Sequence, residues 1–288
     1  MTTDIETARD ATRDNRDDEH WVVKASRFVA EPMVRVTQDL AFGDHPRLRY
    51  DLYEPPPSTK AVATAHFIYG GSWETGERGC YRHVGAGLAM QGIRTVIADY
   101  RLHPEVSFPG FVDDMAQAYA HVAQHHGIGS ATPVIIGHSA GAHIGALLCG
   151  DRSYFARAGA AELKPSAFVG MSGPYVFDPT TWDTTKHIFT PVAETPDRAR
   201  PIVFASRDFP PTLLIHGGRD TLVTPNASEI MHNALLAAGA SSDLKIYPHL
   251  AHAGPIAVIA RPMRWLAPVL KSVSRFVIAE SKKAASAS

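Results

Sequence analysis

Cysteine is scarce in this chain of 288 residues: there are two, Cys80 and Cys149. Two cannot build a disulfide framework, and a chain this long buries enough surface to fold without one. A reducing, cytoplasmic setting is therefore the expectation. Net charge is nearly absent as well, with 28 Lys+Arg against 29 Asp+Glu and a formal charge of −1. Nucleic-acid binding needs a basic excess or patch to neutralise phosphates, so no nucleic acid partner is expected. Long apolar runs are also missing. No window approaches the roughly 18 consecutive apolar residues of a membrane span, so no membrane association is expected. The first twenty residues hold seven acids and three arginines with no apolar stretch, unlike a secretory leader. Residues 1–30 read as a polar arm and 281–288 as a flexible tail.

Composition is otherwise that of a globular domain, 45% apolar and 20% charged. Two strand-like stretches, 34–41 and 47–53, flank Gly43-Asp44-His45-Pro46, a turn signal that predicts a hairpin. Six further apolar runs follow at 61–69, 94–99, 133–137, 167–171, 211–216 and 244–247. Their near-continuous apolar character suits strands buried on both faces. Between them, Phe111, Met115, Tyr119 and Val122 recur at helical spacing, as do Leu266, Val269, Leu270, Val273, Phe276 and Val277. Strands alternating with helices predict an α/β fold, a mostly parallel sheet with helices on both faces. A single domain is expected over 31–280. The segment 173–210 is long for a loop and too aromatic for disorder, with Tyr175, Phe177, Trp182 and Phe189, so it reads as a small cap.

The sharpest chemical signal is Gly137-His138-Ser139-Ala140-Gly141, placed after an apolar run and before a helix-like stretch. A serine at such a bend adopts a strained backbone, and flanking glycines keep Cβ atoms out of the turn. Its hydroxyl then sits at a helix N-terminus, where free N–H groups favour developing negative charge. Serine is a poor nucleophile without a base and an orienting acid. In folds with this bend the chain order is Ser, then acid, then His, each on a loop at the C-terminal end of a strand. Asp220 follows the run 211–216, and His252 follows the run 244–247. His249 is the alternative base. Asp243 competes with Asp220 but is expected before its strand, at the wrong edge. For the oxyanion, the N–H of Ala140 and the loop Gly70-Gly71-Ser72-Trp73 supply the candidate donors. Trp73, His138, Phe177 and Trp182 are candidate substrate-contact residues.

The histidines that could offer metal ligands are His249-x-x-His252, His125-His126 and His20. None completes a zinc-like spacing, and His-Glu-x-x-His does not occur, so no metal site is expected. The dinucleotide fingerprint fails at Gly85-Ala86-Gly87-Leu88-Ala89-Met90, and no P-loop is present, so no cofactor is expected.

Together, Tyr69-Gly70-Gly71-Ser72-Trp73, Asp99-Tyr100-Arg101-Leu102, Gly137-His138-Ser139-Ala140-Gly141 and His216-Gly217-Gly218-Arg219-Asp220 resemble the α/β-hydrolase family. Within it, the chain is similar to small carboxylesterases and arylformamidases (kynurenine formamidases), over roughly residues 60–279. The resemblance implies an eight-stranded sheet, a Ser139–Asp220–His252 triad and an oxyanion hole from Gly70, Gly71, Ser72 and Ala140, without a cofactor. Tyr69 departs from the histidine that many relatives carry before the two glycines. Arg101 and Glu105 read as braces for loops. The expected activity is hydrolysis of short-chain or aryl carboxylic esters through an acyl-enzyme, rising through roughly pH 6–7 as the base loses its proton. The alternatives are hydrolysis of N-formylkynurenine or a similar formanilide, and a non-catalytic binding module on the same fold. The expected partner is a small-molecule ester. The sequence leaves a homodimer open.

Overall fold

A computed structural model describes residue 31 and residues 33–287. The polar arm expected at 1–30 lies outside the described residues. Eight strands form one sheet: β1 (Arg35–Ala41), β2 (Arg49–Glu54), β3 (Ala63–Ile68), β4 (Ile93–Ala98), β5 (Val134–His138), β6 (Phe168–Met171), β7 (Thr212–Gly217) and β8 (Ser242–Tyr247). Their order across the sheet is β1-β2-β4-β3-β5-β6-β7-β8. β2 runs antiparallel to both β1 and β4, and the pairs from β4 through to β8 are parallel.

Burial follows the sequence pattern. Every residue of β3, β5, β6 and β7 is buried, because helices cover both faces of the sheet centre. β1 is the opposite case. It is an exposed edge strand that carries charge and breaks register between Thr37 and Leu40, where Asp39 adopts φ 61°. Charges and a bulge at an edge discourage pairing with another chain.

The helices pack through the predicted stripes. In α1 (Arg82–Ala89) and α2 (Gly110–His126) the apolar faces are buried, and Phe111, Met115 and Tyr119 are wholly inaccessible. α3 (Ala140–Gly150) follows β5 directly and is almost entirely enclosed, as a helix that is apolar all round must be. Further on lie α4 (Ser153–Arg157), α5 (Asn226–Ala237), α6 (Gly254–Ala257) and α7 (Val269–Ala287).

Three expectations are corrected. α7 continues through 281–287, with Ser281 buried, so this stretch is helical where a flexible tail was expected. Leu266 falls outside α7 and is 48% exposed, because the stripe begins only at Val269. β8 starts at Ser242, so Asp243 is inside the strand, paired with Leu213, not ahead of it. Asp243 still lies at the N-terminal end of β8, far along the strand from the loop that holds Asp220. The segment 173–210 has no α-helix or strand. It is loop with three 3-10 turns, Thr190–Val192, Pro196–Ala199 and Pro201–Phe204, and it buries Tyr175, Ile188, Phe189 and Val192.

Connectivity determines where a ligand can sit. From β3 the chain crosses through α1 to β4 on one side, then through α2 to β5 on the other side of β3. Strand order thus reverses at β3 and β5, and the loops at their C-terminal ends diverge to leave a crevice. Ile68 pairs with Gly137, so the segment 69–73 and the bend at Ser139 emerge side by side.

Candidate active site

Ser139 caps α3 with φ 52° and ψ −122°, a conformation costly for a residue with a Cβ. The surroundings hold it there. Its N–H donates to Met171 O at 2.9 Å, and its carbonyl accepts from the N–H groups of Ala142 and His143 at 2.9 and 3.1 Å. The flanking glycines are required by space. A Cβ at Gly137 would stand 2.4 Å from Gly141 O, and one at Gly141 would stand 2.1 Å from Ile68 O. The bend therefore presses against the end of β3, and only glycine fits between.

Ser139 Oγ lies 2.8 Å from His252 Nε2, and His252 Nδ1 lies 2.7 Å from Asp220 Oδ2. Asp220 Oδ1 accepts from the N–H groups of Leu222 and Val223 at 3.0 and 2.9 Å. Asp220 and His252 are buried, while Ser139 is half-buried. With Nδ1–H donated to the carboxylate, His252 Nε2 presents its lone pair to the serine hydroxyl. Burial alone would raise the Asp220 pKa. Hydrogen bonds from His216 and His252 outweigh it and hold the carboxyl well below the usual carboxylate range. His249, the alternative base, is exposed to solvent.

No motif spacing assigns a role to His216, the penultimate residue of β7. Its Nε2 lies 3.0 Å from Asp220 Oδ2 and 2.8 Å from Val223 O, both acceptors, so this nitrogen carries the proton. Nδ1 then accepts from Ser228 Oγ–H at 2.7 Å. Asp220 is thus oriented by a second, buried imidazole.

His138 was expected to contact substrate, and its position corrects this. It is buried, and its Nε2–H donates to the backbone carbonyl of His252 at 3.1 Å. Burial, and next the neighbouring His252, push its pKa down to about 3, so the ring is neutral. It positions the His252 backbone from beneath.

The second loop carries three successive residues at positive φ: Gly71 (133°), Ser72 (51°) and Trp73 (60°). A Cβ at Gly71 would stand 2.1 Å from Thr75 O. Gly71 O accepts from the N–H groups of Glu74 and Thr75, which closes the turn. Among the described residues, the N–H groups of Gly71 and Ser72 donate to no backbone or side-chain acceptor. Ala140 opens α3 and has no acceptor one turn earlier. Gly70 lies against the bend, where an added Cβ would come 2.9 Å from that of Ser139.

Tyr69 braces this loop. Its hydroxyl donates to Asp99 Oδ1 at 2.8 Å and accepts from Arg47 Nη2 at 3.1 Å. Its ring stacks between Tyr81 and Tyr100, whose hydroxyls donate to Gly70 O and Tyr69 O. Asp99 is held in turn by Arg78, which also bonds Asp51. Arg101 makes a two-pronged ion pair with Asp114, as expected of a loop brace.

Of the expected aromatic contacts, Trp73 is 3% exposed and packs edge-to-face on His143 and Phe189. Phe177 is half-buried beside it, and Trp182 is 57% exposed with its ring edge on Phe177. His143 Nε2–H donates to Ala199 O at 2.7 Å, tying α3 to the segment 173–210. Among the described residues, one group brings three metal-ligating side chains together: Glu74, His103 and His187. No helix among the described residues is long and apolar enough to cross a membrane.

A family model described as BD-FAE matches residues 50–235, which takes in the Ser139 bend, the Gly71 loop and Asp220. The chain belongs to the BD-FAE family. Over 247 residues it is 30% identical to a protein of Oryza sativa subsp. japonica named "Probable isoprenylcysteine alpha-carbonyl methylesterase ICMEL1", covering 76% of this chain and 57% of that one. It is 30% identical over 204 residues to Esterase LipC of Mycobacterium tuberculosis, covering 63% and 50% of the two chains. The chain thus spans between half and three-fifths of the length of these curated relatives. Among solved structures it resembles Esterase B from Lactobacillus rhamnosis with a TM-score of 0.76 at 19% identity, covering 100% of this chain and 97% of that one. The architecture is the α/β-hydrolase fold, as the motifs implied. These relatives are named as esterases, and the arylformamidase alternative gains no support from them.

Proposed function

We propose that this BD-FAE family member is a serine carboxylesterase acting on short-chain or aryl carboxylic esters. One observation carries the reading: a strained Ser139 faces an imidazole that a buried carboxylate orients, in unbroken hydrogen-bond contact. In the first step His252 Nε2 takes the hydroxyl proton as Ser139 Oγ bonds to the ester carbonyl carbon. The oxyanion is met by N–H groups of Ala140, Gly71 and Ser72, each worth about 3–4 kcal/mol in such a role. His252 then gives its proton to the departing alkoxide, and the carbon–oxygen bond breaks to leave an acyl-Ser139. Water, losing a proton to His252, attacks this acyl group, and the acid departs as Ser139 regains its proton. No cofactor enters these steps.

Phe177 and Trp182, with Trp73 packed behind Phe177, offer an aromatic surface suited to small apolar or aryl groups. The methylesterase named among the relatives adds small alcohol leaving groups to the class worth testing. The cytoplasm and a small-molecule ester partner complete the reading. The test is a panel of p-nitrophenyl acetate, butyrate and decanoate, methyl and phenyl esters of small acids, and N-formylkynurenine. Turnover is expected to favour acetate, butyrate and phenyl esters. Preference for N-formylkynurenine would replace the esterase reading, and preference for decanoate would replace the pocket assignment.

A further inference from the structure

Beside the Gly71 loop, three chain segments converge through residues that the ester chemistry does not use. Glu74 closes the turn that Gly71 opens. His103 follows β4, and its N–H donates to Trp73 O at 2.9 Å. His187 belongs to the segment 173–210, whose next residue, Ile188, accepts from Phe108 N–H through its carbonyl at 3.1 Å. The side chains meet at one place. His187 Nε2 is 2.9 Å and His103 Nδ1 is 3.6 Å from the same oxygen, Glu74 Oε1. All three donor atoms lie within 4.8 Å of one another. The two imidazoles meet edge to face, with ring centroids 4.9 Å apart and an interplanar angle of 73°.

We propose that Glu74, His103 and His187 bind one divalent transition-metal ion of the zinc class. Two imidazole nitrogens and a carboxylate oxygen are the donors such an ion prefers. In a tetrahedral site with bonds of about 2.0–2.1 Å, donor atoms stand about 3.3 Å apart. The separations of 2.9 and 3.6 Å straddle that spacing and the two nitrogens lie within 4.8 Å of each other, so side-chain rotation closes the three ligands on an ion. The side chains are 19% (His103), 35% (Glu74) and 44% (His187) exposed, which leaves an entry path and room for a water as fourth ligand. Both histidines bind as neutral rings, His103 through Nδ1 and His187 through Nε2, with the proton on the other nitrogen. The ion pins the segment 173–210 and the loop after β4 to the turn that holds Gly71 and Ser72. This site is independent of the esterase reading, because it shares no residue with the triad.

The test uses the full chain, freed of metal by a chelator and dialysed, with zinc chloride as the probe. Calorimetric titration at neutral pH is expected to give one saturable zinc ion per chain, and zinc is expected to raise the Tm. His187→Ala and His103→Ala are each expected to weaken that affinity by at least about tenfold and to remove the Tm rise. His187 is exposed, so its variant folds whether or not His103→Ala does. His125→Ala, far from the cluster, is the control and is expected to bind as the wild type does. Cobalt titration supplies a second readout, a visible absorption band typical of four-coordinate nitrogen and oxygen ligation that disappears in His187→Ala. Absence of saturable zinc binding, or equal binding by wild type and folded His187→Ala, would overturn the proposal and leave Glu74 as an acceptor for the His187 Nε2–H alone.

Discussion

His216 Nε2 stands 3.0 Å from Asp220 Oδ2, the same oxygen that His252 Nδ1 approaches to 2.7 Å. Two imidazoles therefore share one carboxylate oxygen, and both rings are buried. A hydrogen bond to an ionised group contributes about 1.5–3 kcal/mol, and its loss leaves Asp220 free to turn from His252. His216→Ala is expected to lower kcat on p-nitrophenyl acetate by about ten- to a hundredfold while KM changes little. An unchanged kcat in a folded variant would assign His216 to packing alone.

Gly71 sits at φ 133° with Thr75 O in the space a Cβ would fill. Alanine must displace that carbonyl and, with it, the turn that aims the Gly71 and Ser72 N–H groups. Loss of one oxyanion donor costs about a hundred- to a thousandfold in kcat. Gly71→Ala is expected to fall in that range, with a Tm drop, measured by steady-state kinetics and calorimetry. Activity within about threefold of wild type would remove this loop from the oxyanion assignment.

The Tyr69 hydroxyl joins Asp99 and Arg47 beneath that same loop. Tyr69→Phe preserves the ring stack with Tyr81 and Tyr100 but leaves Asp99 short of a donor in a buried place. A stability loss of about 1–3 kcal/mol by denaturant unfolding is expected. A loss near zero would mean that the stacked rings alone brace the loop.

Four histidines are buried as neutral rings, and the cause is first of all desolvation: His66 and His138 are pushed down to about 3, and His83 and His143 to about 4. Their unfolded pKa is about 6.5, so below it the unfolded chain binds protons that the folded chain refuses. Stability is therefore complete above about pH 6.5 and is lost as pH falls toward 4, by up to about 1.4 kcal/mol per pH unit for each ring. Tm is expected to be flat from pH 8 to 7 and to fall steeply between pH 6 and 5. A Tm independent of pH down to 5 would contradict the neutral burial of these rings.

What the sequence disclosed and what it withheld differ in range along the chain. Ser139 was legible because its bend is made within five residues, and Asp220 and His252 because each follows an apolar run in fixed order. Strands β3 to β7 were legible because burial on both faces leaves an apolar run, and β1 and β2 because a turn signal separates them. The Tyr69 brace was not legible, since it joins residues 47, 81, 99 and 100, and no spacing rule links them. His216 looked like an ordinary strand residue until the side chains were placed. Glu74, His103 and His187 belong to three different loops, so a search by ligand spacing passes over them. Residues 281–287 have a tail-like composition, yet they continue a helix whose apolar stripe lies earlier.

The most direct test of the ester hydrolase reading is mass spectrometry of the chain after exposure to an organophosphate probe. One phosphoryl adduct on the peptide containing Ser139, with matching loss of p-nitrophenyl acetate turnover and no adduct in His252→Ala, is the predicted result. An unmodified Ser139, or full turnover by an enzyme carrying that adduct, would contradict the account.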